Sequence, residues 1–252
     1  MYNKIKEENG FQYVEEGEGE VLLLLHGLFG GMSNWEGILE FTKQGYRVII
    51  PLLPIYEIDQ KLAHLEGLVE FIESFLTFKS LDRFSVFGNS LGGHLALLYT
   101  LKYQYKIKTL ILTGSSGLFE DSMGGSYPKR GNFEFIKQRV GYTFYDANFA
   151  TDELVNEVFE TTKSIPKCMR IVAIAKSAQR NNLSKQIVDI HVPTLLVWGL
   201  NDTITPPLVA HEFDRLLPNS ELQFIDKCGH APMMEHPTIF NHYVKTFLQK
   251  HS

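Results

Sequence analysis

Short runs of aliphatic and β-branched residues recur along this chain, separated by longer segments in which apolar residues follow a helical period. The runs occupy residues 21–25, 46–50, 83–87, 107–113 and 194–198, with a weaker run, expected near a sheet edge, at 221–225. Continuous apolar runs of this length are typical of parallel strands that helices cover on both faces. Helical patterns lie at 59–78, 91–103, 208–217 and 238–250. The alternation predicts an α/β fold with a mostly parallel central sheet flanked by helices.

The N-terminal region has a different pattern. Two short segments, residues 3–8 and 12–15, flank the dipeptide Asn9-Gly10. This dipeptide is the strongest short-range signal for a two-residue hairpin turn. We therefore expect an antiparallel hairpin at the start of the sheet.

One long segment, residues 117–189, contains no run that would make a buried parallel strand. Four residues mark a loop at its start: Gly124, Gly125, Pro128 and Gly131. Helical patterns follow at 132–140, 151–163 and 166–180. Because about 70 residues far exceed the usual length of a crossover connection, we predict a helical insertion between two sheet strands. The chain then divides into a core, residues 1–116 and 190–252, and the inserted helical segment 117–189.

Composition and charge exclude several classes of protein. The 252 residues carry 24 Lys and Arg against 29 Asp and Glu, a net charge of −5, so neither nucleic acid nor an anionic membrane surface is an expected partner. The longest aliphatic run, residues 21–25, is far shorter than the roughly 20 residues that a membrane span needs. The first ten residues show no secretory signal. With only two cysteines, Cys168 and Cys228, a disulfide scaffold is excluded and we expect a reducing, cytoplasmic setting.

A serine stands between a predicted strand and a predicted helix in the string GNSLGG, residues 88–93. At such a turn the serine, Ser90, adopts a strained backbone that lifts its hydroxyl above the sheet edge, and the flanking glycines remove side chains that would collide. The amide of Leu91 begins the next helix, where a free N–H and the helix dipole both favour a developing oxyanion. The pattern predicts a nucleophile at Ser90 and an oxyanion donor at Leu91.

A serine hydroxyl needs a base beside it, and His230 is the candidate among nine histidines. It lies in the string CGHAP, residues 228–232, just past the last predicted strand. His26 is better explained as structural. Four others fall on predicted exposed helix ends: His211, His236, His242 and His251. His94 is a rival, one helical turn beyond Ser90, but we expect it to point back into the fold.

An imidazole base needs a carboxylate that fixes its tautomer and stabilises its protonated form. Asp202 follows the run at 194–198, at the carboxyl end of a strand, where α/β sheets build their sites. Another place for such an acid, residues 114–116 after the run at 107–113, holds only glycine and serine. An aspartate in a turn often only caps the backbone. The lack of a carboxylate at residues 114–116 nevertheless favours Asp202 as the third member of the site.

The loop after the first run, residues 26–31, is expected to supply a second oxyanion donor. Its string HGLFGG is rich in glycine but fits neither nucleotide-binding fingerprint. The amide of Leu28 is the candidate, and that of Phe29 is the alternative. No cluster of His, Cys and Asp has metal-ligand spacing, so neither a metal nor a cofactor is predicted. Cys228 lacks a strand-to-helix turn and is not expected to be the nucleophile.

The order Ser90, Asp202, His230, with His-Gly upstream at 26–27, resembles the α/β-hydrolase fold superfamily. The resemblance covers nearly the whole chain and includes the strands, the nucleophile turn, the acid turn and a histidine loop of the form GHxPxxExP at 229–237. It implies that the insertion at 117–189 is a helical cap over the nucleophile. Serine rather than aspartate at position 90 argues against the haloalkane dehalogenase and epoxide hydrolase branches.

The string around Ser90 is similar to the nucleophile turn of hydrolases that cleave carbon–carbon bonds in ring-fission products of aromatic degradation. Those enzymes typically have an aromatic residue after the catalytic histidine, where this chain has Ala231. A second departure lies in residues 51–56, where Leu52 and Ile55 replace an aspartate and a glycine found in many relatives.

The residues and the resemblance together predict a cofactor-independent serine hydrolase that acts on a small-molecule carbonyl substrate. A carboxylic ester or lactone is the first prediction. The alternatives are a carbon–carbon bond hydrolase or a lyase that uses the same triad, and a small-ligand receptor that turns over slowly. An apolar or aromatic acyl group is expected because the insertion is rich in aromatic residues, namely Tyr127, Phe133, Phe135, Tyr142, Phe144, Tyr145, Phe149 and Phe159. Three arginines there could bind a substrate carboxylate: Arg139, Arg170 and Arg180.

Overall fold

A computed structural model describes residues 4–119 and 131–252, apart from the side chains of residues 32 and 33. Within these residues the chain forms an eight-stranded sheet in the order β1-β2-β4-β3-β5-β6-β7-β8. Its strands are β1 (Lys6–Glu8), β2 (Phe11–Glu16), β3 (Glu20–Leu25), β4 (Tyr46–Pro51), β5 (Phe84–Asn89), β6 (Ile107–Thr113), β7 (Thr194–Gly199) and β8 (Ser220–Ile225). The strands from β3 to β8 are mutually parallel, and β1 and β2 are antiparallel additions. The predicted α/β fold with a mostly parallel sheet is confirmed.

Helices lie on both faces of the sheet. They are α1 (Leu65–Phe78), α2 (Leu91–Tyr103), α3 (Phe133–Gly141), α4 (Asp152–Lys163), α5 (Ile165–Arg180), α6 (Pro207–Leu216), α7 (Pro232–Glu235) and α8 (Pro237–Lys250). Alternate side chains of β3 belong to two different apolar clusters: Leu23 and Leu25 to the cluster that contains residues of α1, α2 and α6, and Leu22 and Leu24 to the one that contains residues of α8. This two-residue alternation is why the strand is apolar throughout.

The hairpin and the edge strand follow the sequence pattern. The pairing of Glu8 with Phe11 leaves a two-residue turn in which Asn9 and Gly10 have φ of 51° and 80°, and positive φ at both central residues is what such a turn requires. Residue 3 of the predicted hairpin lies outside the described residues. The weak run at 221–225 is β8, at the end of the strand order.

The predicted helix at 59–78 is wrong in its first turn. A short 3₁₀ turn at Gln60–Leu62 comes first, and α1 begins at Leu65. The ring of His64 accepts a hydrogen bond from the Gly67 amide at 3.2 Å and caps the helix there. A side-chain cap that satisfies a free amide sets the helix start more strongly than the apolar period does.

Between β6 and β7 the chain forms α3, α4 and α5, which match the three helical patterns of the insertion. Gly124, Gly125, Tyr127 and Pro128 lie outside the described residues. Gly131 is described and has a φ of 77°. The division into a core and an insertion stays a prediction at this point.

Candidate active site

Ser90 lies in the turn between β5 and α2 with a φ of 55° and a ψ of −120°. This region is strained for any residue that has a Cβ atom, and it persists only where the surroundings enforce it. The Ser90 carbonyl accepts hydrogen bonds from the amides of Gly93, His94 and Ser116 at 3.0, 3.2 and 3.1 Å. Its own amide donates to the Thr113 carbonyl at 3.1 Å. Neighbouring backbone on both sides therefore holds the strained serine in place.

Three glycines allow the close approach of backbone around this serine. A Cβ on Gly88 would lie 2.4 Å from the backbone of α2, and one on Gly92 would lie 2.0 Å from the carbonyl oxygen of Leu25. A Cβ on Gly27 would lie 3.2 Å from the Cβ of Ser90, so the loop after β3 runs directly beside the nucleophile turn. The steric reason for glycine at 88 and 92 is confirmed.

The predicted base and acid are in direct contact. Nδ1 of His230 lies 2.8 Å from Oδ2 of Asp202, and both side chains are buried. The other Asp202 oxygen accepts the amides of Ile204 and Thr205 at 2.8 and 2.9 Å, and the Thr205 hydroxyl donates to Oδ2 at 2.8 Å. Since a carboxylate only accepts, the proton of the neutral imidazole lies on Nδ1 and its Nε2 is left as the basic atom.

Ser90 and His230 line the same cavity, which has a volume of about 400 Å³. Nε2 of His230 is buried and has no hydrogen-bond partner within the described part of the chain. The cavity lies between the nucleophile turn and helices α3, α4 and α5, and its walls are mostly apolar. A basic nitrogen without a partner and a strained serine thus line one mostly apolar cavity, an arrangement suited to nucleophilic catalysis.

Hydrogen bonds within the loop after β3 set the orientation of the peptide between Gly27 and Leu28. The carbonyl of Gly27 accepts hydrogen bonds from Nδ1 of His26 at 2.9 Å and from the Gly30 amide at 3.1 Å. In a trans peptide the next N–H points the opposite way, so the amide of Leu28 faces away from the His26 ring. Leu28 and Phe29 both line the cavity. The other predicted donor, Leu91, is the buried first residue of α2.

Two further histidines are structural. His26 is buried, and its Nε2 accepts the Leu53 amide at 3.0 Å, so the structural role expected for it is confirmed. The rival His94 is fully buried, and its Nε2 is hydrogen-bonded to Oδ1 of Asn181 at 3.1 Å. Burial lowers the pKa of each ring to about 4. Both are therefore neutral near pH 7.

Sequence reasoning missed two residues that support the site. Thr205 contacts both Asp202 and His230, and a threonine three residues after the acid was the available signal. The side-chain amide of Asn89 donates to the carbonyls of Thr113 and His230 at 3.0 and 3.1 Å. Asn89 thus ties the nucleophile turn to the histidine loop, a role that the sequence string does not reveal.

The inserted helices form much of the cavity wall. Three of the predicted aromatic residues line it: Phe135, Tyr142 and Phe144. Others pack within the segment, as in the edge-to-face pair of Phe133 and Phe159.

Of the three arginines there, only Arg139 lines the cavity. Arg170 donates to the Ile58 carbonyl at 2.6 Å, and Arg180 is exposed.

The environment of Cys228 argues against a role as nucleophile. Cys228 is fully buried, and burial raises the pKa of its thiol, so it stays protonated.

Among the described residues no group of three or more His, Cys, Asp or Glu side chains is placed to hold a metal ion. Within the same residues no helix has both the length and the apolar character that crossing a membrane requires.

The sequence pattern of the alpha/beta hydrolase family matches residues 22–242. The chain belongs to this family. The hydrolase is 28% identical to 2-hydroxy-6-oxo-6-phenylhexa-2,4-dienoate hydrolase from Burkholderia cepacia, a match that covers 93% of this chain and 89% of the relative. It is 27% identical, with the same coverage, to 2-hydroxy-6-oxononadienedioate/2-hydroxy-6-oxononatrienedioate hydrolase from Comamonas testosteroni.

A solved structure supports the same assignment. MGS-MChE2, an alpha/beta hydrolase enzyme from a sediment metagenome of the Mar Chica lagoon in Morocco, is 38% identical to this hydrolase. The match has a TM-score of 0.81 and covers 98% of each chain. The resemblance noted from the sequence is confirmed, and the comparisons favour an enzyme over a slow-turnover receptor.

Proposed function

We propose that this hydrolase cleaves a carbon–carbon bond next to a ketone carbonyl in a small, largely apolar carboxylic acid. The observation that carries the proposal is that two curated relatives, matched over 93% of this chain, are named for 2-hydroxy-6-oxo-dienoate substrates. The mostly apolar cavity with Arg139 at its wall suits an acid with a long conjugated chain. Carbon–carbon bond cleavage, which the sequence left as an alternative, is therefore favoured over ester hydrolysis as the function of this protein.

In the proposed mechanism Nε2 of His230 takes the hydroxyl proton of Ser90, and the serine oxygen attacks the ketone carbonyl. The amides of Leu28 and Leu91 bind the oxyanion, and Asp202 stabilises the protonated imidazole. This attack occurs on the keto tautomer of the dienoate, which forms when the 2-hydroxyl loses its proton and C5 gains one. Collapse of the tetrahedral intermediate then breaks the bond between C5 and C6, and the electron pair left on C5 delocalises into the conjugated 2-oxo group. His230 protonates this fragment, and water then hydrolyses the acyl-serine by the same steps.

The second candidate is hydrolysis of a carboxylic ester or lactone by the same triad. Ala231 favours it, because Ala231 lines the cavity beside the base where carbon–carbon hydrolases typically have an aromatic residue. Ester hydrolysis releases an alcohol and does not require the cavity to stabilise a carbanion. A cavity with few polar groups is therefore sufficient for this reaction.

We further propose that residues 117–189 act as a cap on the core formed by residues 1–116 and 190–252. Each described α-helix of this segment contributes to the cavity wall: Phe135 from α3, Leu154 from α4 and Ile171 from α5. A cap of this kind excludes water from the reacting carbonyl and sets the size of the acyl group.

The test is a substrate panel that contains 2-hydroxy-6-oxo-6-phenylhexa-2,4-dienoate, p-nitrophenyl esters of benzoate and butyrate, and a small lactone. We expect the dienoate to have the highest kcat/KM, and Ser90→Ala to abolish its turnover. Ser85→Ala is the matched control and keeps activity, because Ser85 is a buried serine on β5 that does not line the cavity. Turnover of the esters without the dienoate would establish the second candidate, and turnover of none would contradict both.

A further inference from the structure

Glu235, the last residue of α7, is a buried carboxylate outside the triad. One oxygen, Oε1, accepts the Gly229 amide at 2.7 Å. The other, Oε2, accepts the amides of Tyr145 and Asp146 at 2.8 and 3.4 Å. Besides these backbone N–H groups, the buried thiol of Cys228 donates to Oε1 at 3.8 Å. The two ends of the carboxylate thus hold two separate stretches of chain.

These stretches are the start of the histidine loop, residues 229–231, and the return segment, which we define as residues 142–146 after α3. The amide of His230 donates to the Thr143 carbonyl at 2.7 Å. A Cβ on Gly229 would lie 2.6 Å from that carbonyl oxygen and 2.8 Å from the Tyr145 nitrogen, so the two backbones are in direct contact. Next to Asp202, the Thr203 hydroxyl donates to the Tyr142 carbonyl at 3.3 Å.

Both stretches form the cavity. Tyr142, Thr143 and Phe144 of the return segment line it, and so do His230 and Ala231 of the histidine loop. A shift of the return segment would therefore displace one wall of the cavity and, through the Thr143 carbonyl, the backbone of the base. A displacement of about 1 Å at a catalytic group can cost about 100-fold in rate.

We propose that Glu235 is a positioning residue that fastens the return segment of the inserted helices to the histidine loop, so that the placement of the cavity wall and the placement of His230 are set together. A carboxylate has two oxygens and can accept N–H groups at both. Glutamine has the same shape but would turn an NH₂ group towards one set of amide donors, so it keeps one link and breaks the other. The inference rests on the proposed role of His230 as the base.

The experiment compares wild type with Glu235→Gln in two measurements. The first is the rate at which a small fluorophosphonate modifies Ser90: the serine oxygen bonds to phosphorus, fluoride leaves, and His230 takes the proton. We expect this rate to fall about 10- to 100-fold, because the base is misplaced. The second is amide hydrogen exchange, which we expect to rise at the amides of the broken link, either that of Gly229 or those of Tyr145 and Asp146. Thr109→Val, which removes a buried hydrogen bond to Ser85, is the control for a general loss of stability and changes neither.

The outcomes separate the two proposals. If wild type does not react at Ser90, the proposed function is wrong and the inference falls with it. If wild type reacts and Glu235→Gln shows the same rate and the same exchange, the inference alone is wrong. If Glu235→Gln does not fold, exchange in wild type decides: the amides of Tyr145, Asp146 and Gly229 must be protected and open together, and unprotected Tyr145 and Asp146 amides would contradict the link.

Discussion

Ser90 combines a positive φ of 55° with a side chain, and the cost of this conformation is about 1–3 kcal/mol. Glycine has no Cβ atom and adopts such a backbone without strain. We therefore expect Ser90→Gly to abolish turnover while raising the free energy of unfolding by about 1 kcal/mol over that of Ser90→Ala. Urea denaturation of the two variants measures the difference. If Ser90→Ala were as stable as Ser90→Gly, the turn would not be strained in solution.

Asp202 has unequal surroundings for its two oxygens, and this gives a prediction for Asp202→Asn. Oδ1 accepts two backbone amides, so an asparagine keeps its carbonyl oxygen there and turns its NH₂ group towards His230. That group can only donate, which moves the imidazole proton to Nε2 and removes the base. We expect kcat/KM to fall by about 10³- to 10⁴-fold with little change in thermal stability.

The matched control is Asp214→Asn, because Asp214 is a remote aspartate that accepts a hydroxyl from Ser220. It should leave kcat/KM unchanged. Loss of activity in both variants to the same degree would show that the effect of position 202 is not specific to the imidazole.

For individual residues, the sequence identifies those that lie in a distinctive local motif. It misses those whose role depends on partners far away in the chain. Ser90 follows from the glycines around it and from its place between a strand and a helix. Thr205 and Glu235 act through hydrogen bonds to His230 and to the return segment, and no local string specifies those partners. Glu235 is visible in the sequence only as a motif position.

Two buried histidines connect neighbouring elements and make stability depend on pH. His26 joins the loop after β3 to the chain after β4, and His94 joins α2 to the end of α5. Their pKa values are about 4 in the folded protein and about 6.5 when unfolded. Between these values the unfolded state binds more protons, so stability is full above about pH 6.5 and decreases as the pH falls towards 4.

We expect the free energy of unfolding to fall by up to about 1.4 kcal/mol per pH unit for each histidine in this window. Urea denaturation at about pH 7 and about pH 5 measures the slope. His94→Gln removes one titrating ring and should reduce the slope, whereas His242→Gln, on an exposed part of α8, should not. An unchanged slope in His94→Gln would contradict the shifted pKa of His94.

Helix α3 carries the arginine that we assign to the substrate carboxylate. Arg139 lines the cavity, so Arg139→Met should raise KM for an acidic substrate about 10-fold, equivalent to about 1.4 kcal/mol of lost binding, and leave a neutral ester unaffected. Arg180→Met, outside the cavity on α5, is the matched control. Equal effects on the acid and the ester would show that Arg139 shapes the wall rather than binding a carboxylate.

Element types follow from the apolar period, but element ends depend on single contacts. The run at 107–113 is β6 with the same bounds, because both faces of that strand are buried. The start of α1 differs from the pattern because His64 caps the Gly67 amide. A histidine cap has no signal in an apolar period.

For the whole molecule, the sheet order explains why distant residues meet. β5, β6, β7 and β8 are adjacent and parallel, so their carboxyl ends lie at one edge, where Ser90, Asp202 and His230 follow β5, β7 and β8. The run pattern predicts that each residue follows a strand at the carboxyl edge of the sheet. The strand order that brings the three residues together comes from the structure. The contact of the return segment with the histidine loop could not be predicted either, because it depends on tertiary packing of the inserted helices.

Ser90 and His230 are expected to act as one catalytic unit, and comparing kcat/KM of the two single variants with that of the double variant tests this coupling. Residues that act together are non-additive, because once one is lost the other has nothing left to contribute. With the best substrate of the panel we expect Ser90→Ala and His230→Ala each to lower kcat/KM by several orders of magnitude, about 10⁶-fold at most, and the double variant to be no worse than the poorer single one. If the fold-losses in kcat/KM of the two single variants multiplied in the double variant, or if Ser90→Ala alone kept substantial turnover, the two residues would not act as one unit.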